Sequence, residues 1–218
     1  MRYKAFIFDL NGTIIDDMAF HAEAWFRILN EELNAGLSRA VVSSHMYGKN
    51  SEVLDRIFGS SKFTEAEKEA LSFRKEQIYQ EAYLPHLRLV PGLDDFLKKA
   101  ASKNIPMAIG TAAIPFNVDF VVDRLHIRRY FQAVVTADDV SKSKPDPETF
   151  LTCARLLDTA PSDCLVFEDV PKGAEAAANA GMDTVIITTG HGPEEFKEQR
   201  RILCDIPDFT DPRLNDLF

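Results

Sequence analysis

The chain is poor in the features that would set it apart from an ordinary globular interior. Its three cysteines, Cys153, Cys164 and Cys204, are an odd set with no metal-ligand spacing. They read as reduced thiols, which excludes a disulfide framework or a cysteine-held metal. No apolar run approaches the ~20 residues that a membrane-spanning helix needs. No leader is expected either, because Met1-Arg2-Tyr3-Lys4 is followed only by a short apolar run closed by the charge of Asp9. Positive charge is scarce: 25 Lys and Arg against 34 Asp and Glu give a formal net charge of −9. Such a field repels nucleic acid and anionic membrane, so neither is expected as a partner. Repeats and low-complexity segments are absent. The expectation is a cytoplasmic, monomeric protein with a small-molecule ligand.

What is present is a core-forming composition, 45% hydrophobic and 27% charged, in a length that fits one domain carrying a smaller inserted one. Tyr3-Lys4-Ala5-Phe6-Ile7-Phe8 is a short apolar strand ended by Asp9 and the turn Asn11-Gly12. A helical block follows. Met18, Ala22, Trp25, Phe26, Leu29 and Leu33 recur at three- and four-residue steps, one apolar stripe on a helix. Further helices are expected over 51–58 and 64–83, the latter opened by a Thr64/Glu67 capping box. From Pro91-Gly92 the chain alternates: helices over 93–102, 116–125, 148–157 and 172–180 lead to strands over 106–111, 133–136, 164–167 and 184–188. Alternating strands and helices mean right-handed crossovers and a doubly wound parallel α/β sheet. The first strand belongs to that sheet. Residues 1–15 and 91–218 are therefore expected to form the α/β core, with an all-α cap inserted over 16–90.

In open parallel sheets, ligands bind beyond the carboxyl ends of the strands. Those ends carry Asp9 and Asn11, Thr111, Lys144, and Glu168 with Asp169. Singly, each has an ordinary structural use as a cap, a turn residue or a solvated charge. Together they suit phosphoryl transfer. Carboxylates and a backbone oxygen can hold Mg²⁺, lysine and hydroxyl can stabilise phosphate oxygens, and a carboxylate can attack phosphorus itself.

The string Asp9-Leu10-Asn11-Gly12-Thr13 after an apolar strand resembles the first signature of haloacid-dehalogenase-like phosphatases and phosphomutases. Gly110-Thr111 resembles their second motif and Ser143-Lys144-Pro145-Asp146-Pro147 their third. Phe167-Glu168-Asp169, followed by Gly173 and Ala180-Gly181, resembles their fourth. The motifs stand in order along the whole chain, and the helical insertion after the first is similar to the cap of the β-phosphoglucomutase-like branch. The resemblance implies a Mg²⁺-dependent enzyme acting on small phosphorylated metabolites such as sugar phosphates. It implies Asp9 as nucleophile and metal ligand, the Asn11 backbone carbonyl on the metal, Thr111 and Lys144 on the phosphate, and Asp169 as metal ligand with Glu168 beside it. It also implies substrate contacts from His21, Lys49 and Lys75 in the cap, and from Ala112 next to Thr111.

Two departures qualify that reading. The family carries an aspartate, its general acid and base, where this chain has Asn11. An amide keeps the backbone carbonyl but cannot shuttle a proton, a loss worth roughly 10²–10⁴ in rate. The open readings are a slow enzyme or one for good leaving groups, an introduced Asp→Asn change, and a binding protein derived from the enzyme. After Thr111 the chain reads Ala112-Ala113-Ile114-Pro115, without the lysine–asparagine pair of a dedicated β-phosphoglucomutase. A phosphatase is therefore preferred to a mutase. A phospho-receiver module fails on order, because a helical block stands between Asp9 and the rest of the sheet. A dehalogenase would not need the Glu168-Asp169 pair.

Overall fold

A computed structural model describes residues 2–218. Among these residues, one six-stranded parallel sheet runs in the order β3-β2-β1-β4-β5-β6. Its strands are β1 (Ala5–Phe8), β2 (Met107–Gly110), β3 (Ala133–Val135), β4 (Cys164–Glu168), β5 (Asp183–Ile187) and β6 (Ile202–Ile206). The α-helices are α1 (Met18–Arg27), α2 (Arg39–His45), α3 (Asn50–Phe58), α4 (Glu65–Tyr83), α5 (Leu93–Ser102), α6 (Pro115–Arg124), α7 (Glu148–Leu156) and α8 (Pro171–Asn179). The doubly wound parallel sheet is the fold expected from the alternation of elements. Two compact units emerge: Met1–Asp16 with Arg88–Phe218, and Asp17–Leu87.

Within the α/β unit, every side chain of β1 is fully buried, because a parallel sheet is covered on both faces. Alternation along the strand divides those side chains between two layers. Ala5 and Ile7 join one cluster with Phe150, Cys153, Val166 and Ala176. Phe6 and Phe8 meet Phe96 and Phe167, and the Phe8 and Phe167 rings stack at 4.7 Å. Each such side chain contributes about 1.5–3 kcal/mol on burial, so the strand that carries Asp9 is anchored on both faces. The chain runs outward from β1 to β2 and β3, then returns to β4 on the other side of β1. The order therefore reverses between β1 and β4, where ligands bind in such sheets.

Strand β6 was not expected from the sequence. Ile202, Cys204 and Ile206 face inward while Leu203 and Asp205 are exposed, so this edge strand is half wetted and follows the charged run 197–201.

The helical unit follows its sequence signals with two adjustments. The Thr64 hydroxyl accepts from the Glu67 amide at 3.3 Å, and Glu67 Oε2 accepts from the Thr64 amide at 2.8 Å, the capping box that starts α4. The helix anticipated through Leu33 instead ends at Arg27 and widens into a π turn over Ile28–Glu32. Its buried face is His21, Ala24, Trp25, Ile28 and Leu29. This face is turned from the expected stripe because His21 is held inside by polar partners. The short α2 was not expected, since it buries only Val42 and so shows no stripe. Among the described residues, no helix is long and apolar enough to cross a membrane. The two chain crossings between the units are tied on the α/β side: Ile15 pairs with Leu89, and the Val90 amide donates to Ile14 O at 2.9 Å.

Candidate active site

The site is assembled at the switch point by strand register. Phe8 pairs with Phe167 across β1 and β4, so the next residues, Asp9 and Glu168, stand side by side at the strand ends. The Asp9 amide donates to Phe167 O at 2.9 Å. Lys144, from the loop between β3 and α7, donates to Asp9 Oδ1 at 2.6 Å and to Glu168 Oε1 at 2.7 Å. The second Glu168 oxygen accepts the amides of Asp169 and Val170 at 2.8 and 2.9 Å. Glu168 therefore serves as the fixed base of the cluster, holding Lys144 on one side and the start of α8 on the other. Asp169 Oδ1 accepts the Thr13 hydroxyl at 3.3 Å.

Two glycines make room for these carboxylates. A Cβ at Gly173 would lie 1.8 Å from Glu168 Oε1, and one at Gly12 would lie 2.0 Å from Asp169 Oδ2. Gly12 also has φ +77°, a conformation that disfavours other residues. The Thr189 hydroxyl donates to Gly12 O at 2.6 Å and so fastens the turn that follows Asn11. Thr111 is buried at the end of β2, its amide on Val135 O, and its hydroxyl accepts the Ala113 amide at 3.1 Å. Ala112 is the half-buried residue inside that turn, and Asn11 is half-buried two residues past Asp9.

Electrostatically the cluster is short of positive charge. Asp9, Glu168 and Asp169 are buried together with the ammonium of Lys144. Burial pushes the Asp9 carboxyl up; Lys144 pulls it down and the Glu168 charge pushes it further up. Burial pulls Lys144 down, but the charges of Asp9 and Glu168 outweigh it and hold the ammonium above its usual range. Among the described residues, no three His, Cys, Asp or Glu side chains form a ready metal cage. Magnesium does not need one, since it binds through one or two carboxylates and keeps several waters. Buried carboxylates gathered around one lysine fit a divalent cation.

The remaining expected residues belong to the helical unit. Lys49 is half-buried at the N-cap of α3, where its amide donates to Glu52 Oε2 at 3.1 Å. His21 and Lys75 meet, Nδ1 to Nζ 2.6 Å. Around them stand Asp17, Glu76 and Tyr79, which sequence reasoning passed over as site residues. The signal was present: Asp17 and His21, like Lys75 and Tyr79, are four residues apart, neighbours on a helical face.

A family model described as haloacid dehalogenase-like hydrolase matches residues 6–187. The chain belongs to that family. Its relatives include a β-phosphoglucomutase of Bacillus subtilis, 36% identical over 193 residues, covering 86% of this chain and 84% of the relative. A fructose-1-phosphate phosphatase of Escherichia coli is 34% identical over 187 residues, covering 84% and 96%. The crystal structure of a β-phosphoglucomutase from Clostridium difficile superposes with a TM-score of 0.84 at 26% identity, covering 99% of this chain and 95% of that one.

Proposed function

We propose that this enzyme, by family and relatives a phosphoric monoester hydrolase or phosphomutase, is a Mg²⁺-dependent phosphatase of small sugar phosphates that works through a phosphorylated Asp9. The observation that carries the reading is the Asp9–Lys144–Glu168 triad at the switch point. Lys144 holds Asp9 through Oδ1, and Oδ2 is assigned as the attacking oxygen. That oxygen forms the new bond to phosphorus as the ester oxygen departs with the electron pair of its P–O bond. Lys144 and Thr111 hold the remaining phosphate oxygens. Water then attacks the aspartyl phosphate, releasing phosphate and restoring the carboxylate. Asp9, Asp169 and the Asn11 carbonyl would hold Mg²⁺, with Glu168 fixing the neighbourhood. When bound, the ion supplies charge neutralisation between carboxylates and phosphate. The B. subtilis and E. coli relatives and the buried site support a sugar phosphate as substrate; His21, Lys49, Lys75 and Ala112 are the proposed substrate contacts.

Asn11 defines the limit of this chemistry. Its side chain cannot hand a proton to a departing alkoxide, so turnover is weak on ordinary esters and less impaired on acyl or aryl phosphates, whose leaving groups need no acid. The test is phosphate release from a panel of phosphorylated metabolites with Mg²⁺, run on this chain and on Asn11→Asp. Asn11→Asp is expected to raise turnover of a sugar phosphate roughly 10²–10⁴-fold, with a much smaller change in metal affinity. An Asn11→Asp protein no faster on any ester would overturn the reading and favour a binding protein. The B. subtilis relative motivates a second reading, phosphomutase; conversion of a hexose 1-phosphate to its 6-phosphate without release of phosphate would select it.

A further inference from the structure

Phe150, in the first turn of α7, is fully buried. It belongs to the apolar cluster to which Ile7 of β1, Ala108 of β2, Val135 of β3 and Val166 of β4 also contribute. The Lys144 ammonium lies over the face of its ring, 4.5 Å from the centroid, inside the ~6 Å over which an aromatic face attracts a cation. The same ammonium donates to Asp9 Oδ1 and Glu168 Oε1, so two of its three hydrogens are committed to carboxylates. The ring also packs against the end of β2. A Cβ at Gly110 would lie 3.3 Å from Phe150 Cδ1 and 2.9 Å from Cys153 Sγ, so the missing side chain is what lets α7 come this close. Cys153 Sγ donates to Ile109 O at 3.5 Å and fixes the approach one turn further along the helix. The residue after Gly110 is Thr111. One rigid ring therefore stands between Lys144 and the strand end that carries Thr111.

We propose that Phe150 is a positioning residue for phosphoryl transfer: the negative face of its ring holds the Lys144 ammonium, and its seat against Gly110 sets that ammonium relative to Thr111. The proposal rests on the proposed function, in which Lys144 and Thr111 hold the phosphate oxygens. The choice of an aromatic ring has a physical reason. A third carboxylate at this place would grip the ammonium more strongly, but its charge would repel a phosphate of about −2, most of all in a buried site of low dielectric. The ring attracts the cation through its quadrupole, carries no net charge, and needs no hydrogen pointed at it. The third hydrogen of Lys144 is thereby kept for a phosphate oxygen. Lys144 also grips Asp9, so an error in its position moves the attacking carboxylate. Such an error acts on the reacting step and falls on kcat.

The test replaces Phe150, in the whole chain, with phenylalanines carrying one, two and three ring fluorines. Fluorine withdraws electron density from the ring face and barely changes its shape, so packing is kept while the attraction for a cation fades. In the Asn11→Asp background with Mg²⁺ and a hexose monophosphate, kcat is expected to fall stepwise, roughly tenfold by the third fluorine, with KM within about twofold. A flat kcat series, or a loss confined to KM, overturns the positioning role. A second readout is independent of the reaction. The urea unfolding equilibrium constant of the chain is expected to rise with each fluorine, roughly fivefold by the third. Packing alone would leave it flat or lower it, since fluorine makes the ring more apolar; either result overturns the contact with Lys144. Absence of phosphate release from every ester in the Asn11→Asp background would remove the proposed function and the catalytic role together, while the unfolding series would still decide whether the ring holds Lys144.

Discussion

Lys144 in the α/β unit and Lys75 in the helical unit are both buried against carboxylates, yet their surroundings act on them in opposite directions. Burial disfavours the charged form of each. Lys144 meets two carboxylates, at 2.6 and 2.7 Å, from strand ends aligned by the sheet, and their charges outweigh burial. Lys75 meets one carboxylate, that of its sequence neighbour Glu76, and a ring nitrogen of His21. Burial wins there, and the ammonium is held below its usual range. A buried lysine gains stability when several opposite charges converge on it from rigid elements, and loses it when its partners are few.

The largest effect expected from breaking the α/β cluster is chemical. Asp9→Asn in the Asn11→Asp background should lower phosphate release on the order of 10⁴-fold or more, as removal of a nucleophile does; residual turnover within tenfold of the parent would refute its role. The next is structural. Lys144→Met leaves Asp9 and Glu168 facing each other without a cation, and urea unfolding should show a loss of about 3–5 kcal/mol. Gly173→Ala sharpens the same point, since its methyl must displace Glu168 Oε1; about 1–3 kcal/mol is expected for such overpacking.

Lys75→Met tests the other half of the comparison. Its cost should fall below that of Lys144→Met by at least about 1 kcal/mol, because folding disfavours the charge of Lys75 and favours that of Lys144. Equal costs would mean the two environments are equivalent. The smallest effect belongs to the surface pair Asp211–Arg213, where the guanidinium's hydrogen bonds hold the Asp211 carboxyl down at about 2. A depressed carboxylate stabilises the fold above its unfolded pKa of about 4. That contribution fades as pH falls through the folded value. Carboxyl resonances followed by NMR should show the low midpoint, and Arg213→Ala, which keeps the backbone amide on Asp211 Oδ1, should raise it part of the way back.

Much of the α/β unit was legible because its signals are local. Five strands showed as apolar runs, and the switch-point rule turned strand ends into candidates before any contact was known. The sixth strand escaped because an edge needs only alternate inward residues, and Ile202, Cys204 and Ile206 are diluted by Leu203 and Asp205. In the helical unit, periodicity found α1 but misjudged its face, the capping box found α4, and α3 was expected within a residue of its bounds. A histidine counts as polar in a stripe until its partners are known.

The sequence by itself determined five of the six strands and most of the helices, in order, that Asp9, Thr111, Glu168 and Asp169 stand at or just after strand ends, and that Lys144 lies in the loop beyond the third strand. Apolar spacing and turn chemistry act over a few residues, so no three-dimensional information was required. Only the tertiary structure decided which charges meet. Lys144 reaches Asp9 across 135 positions and Lys75 reaches His21 across 54. Sheet register sets the first distance and helix packing the second, and neither is written in any local stretch of the chain.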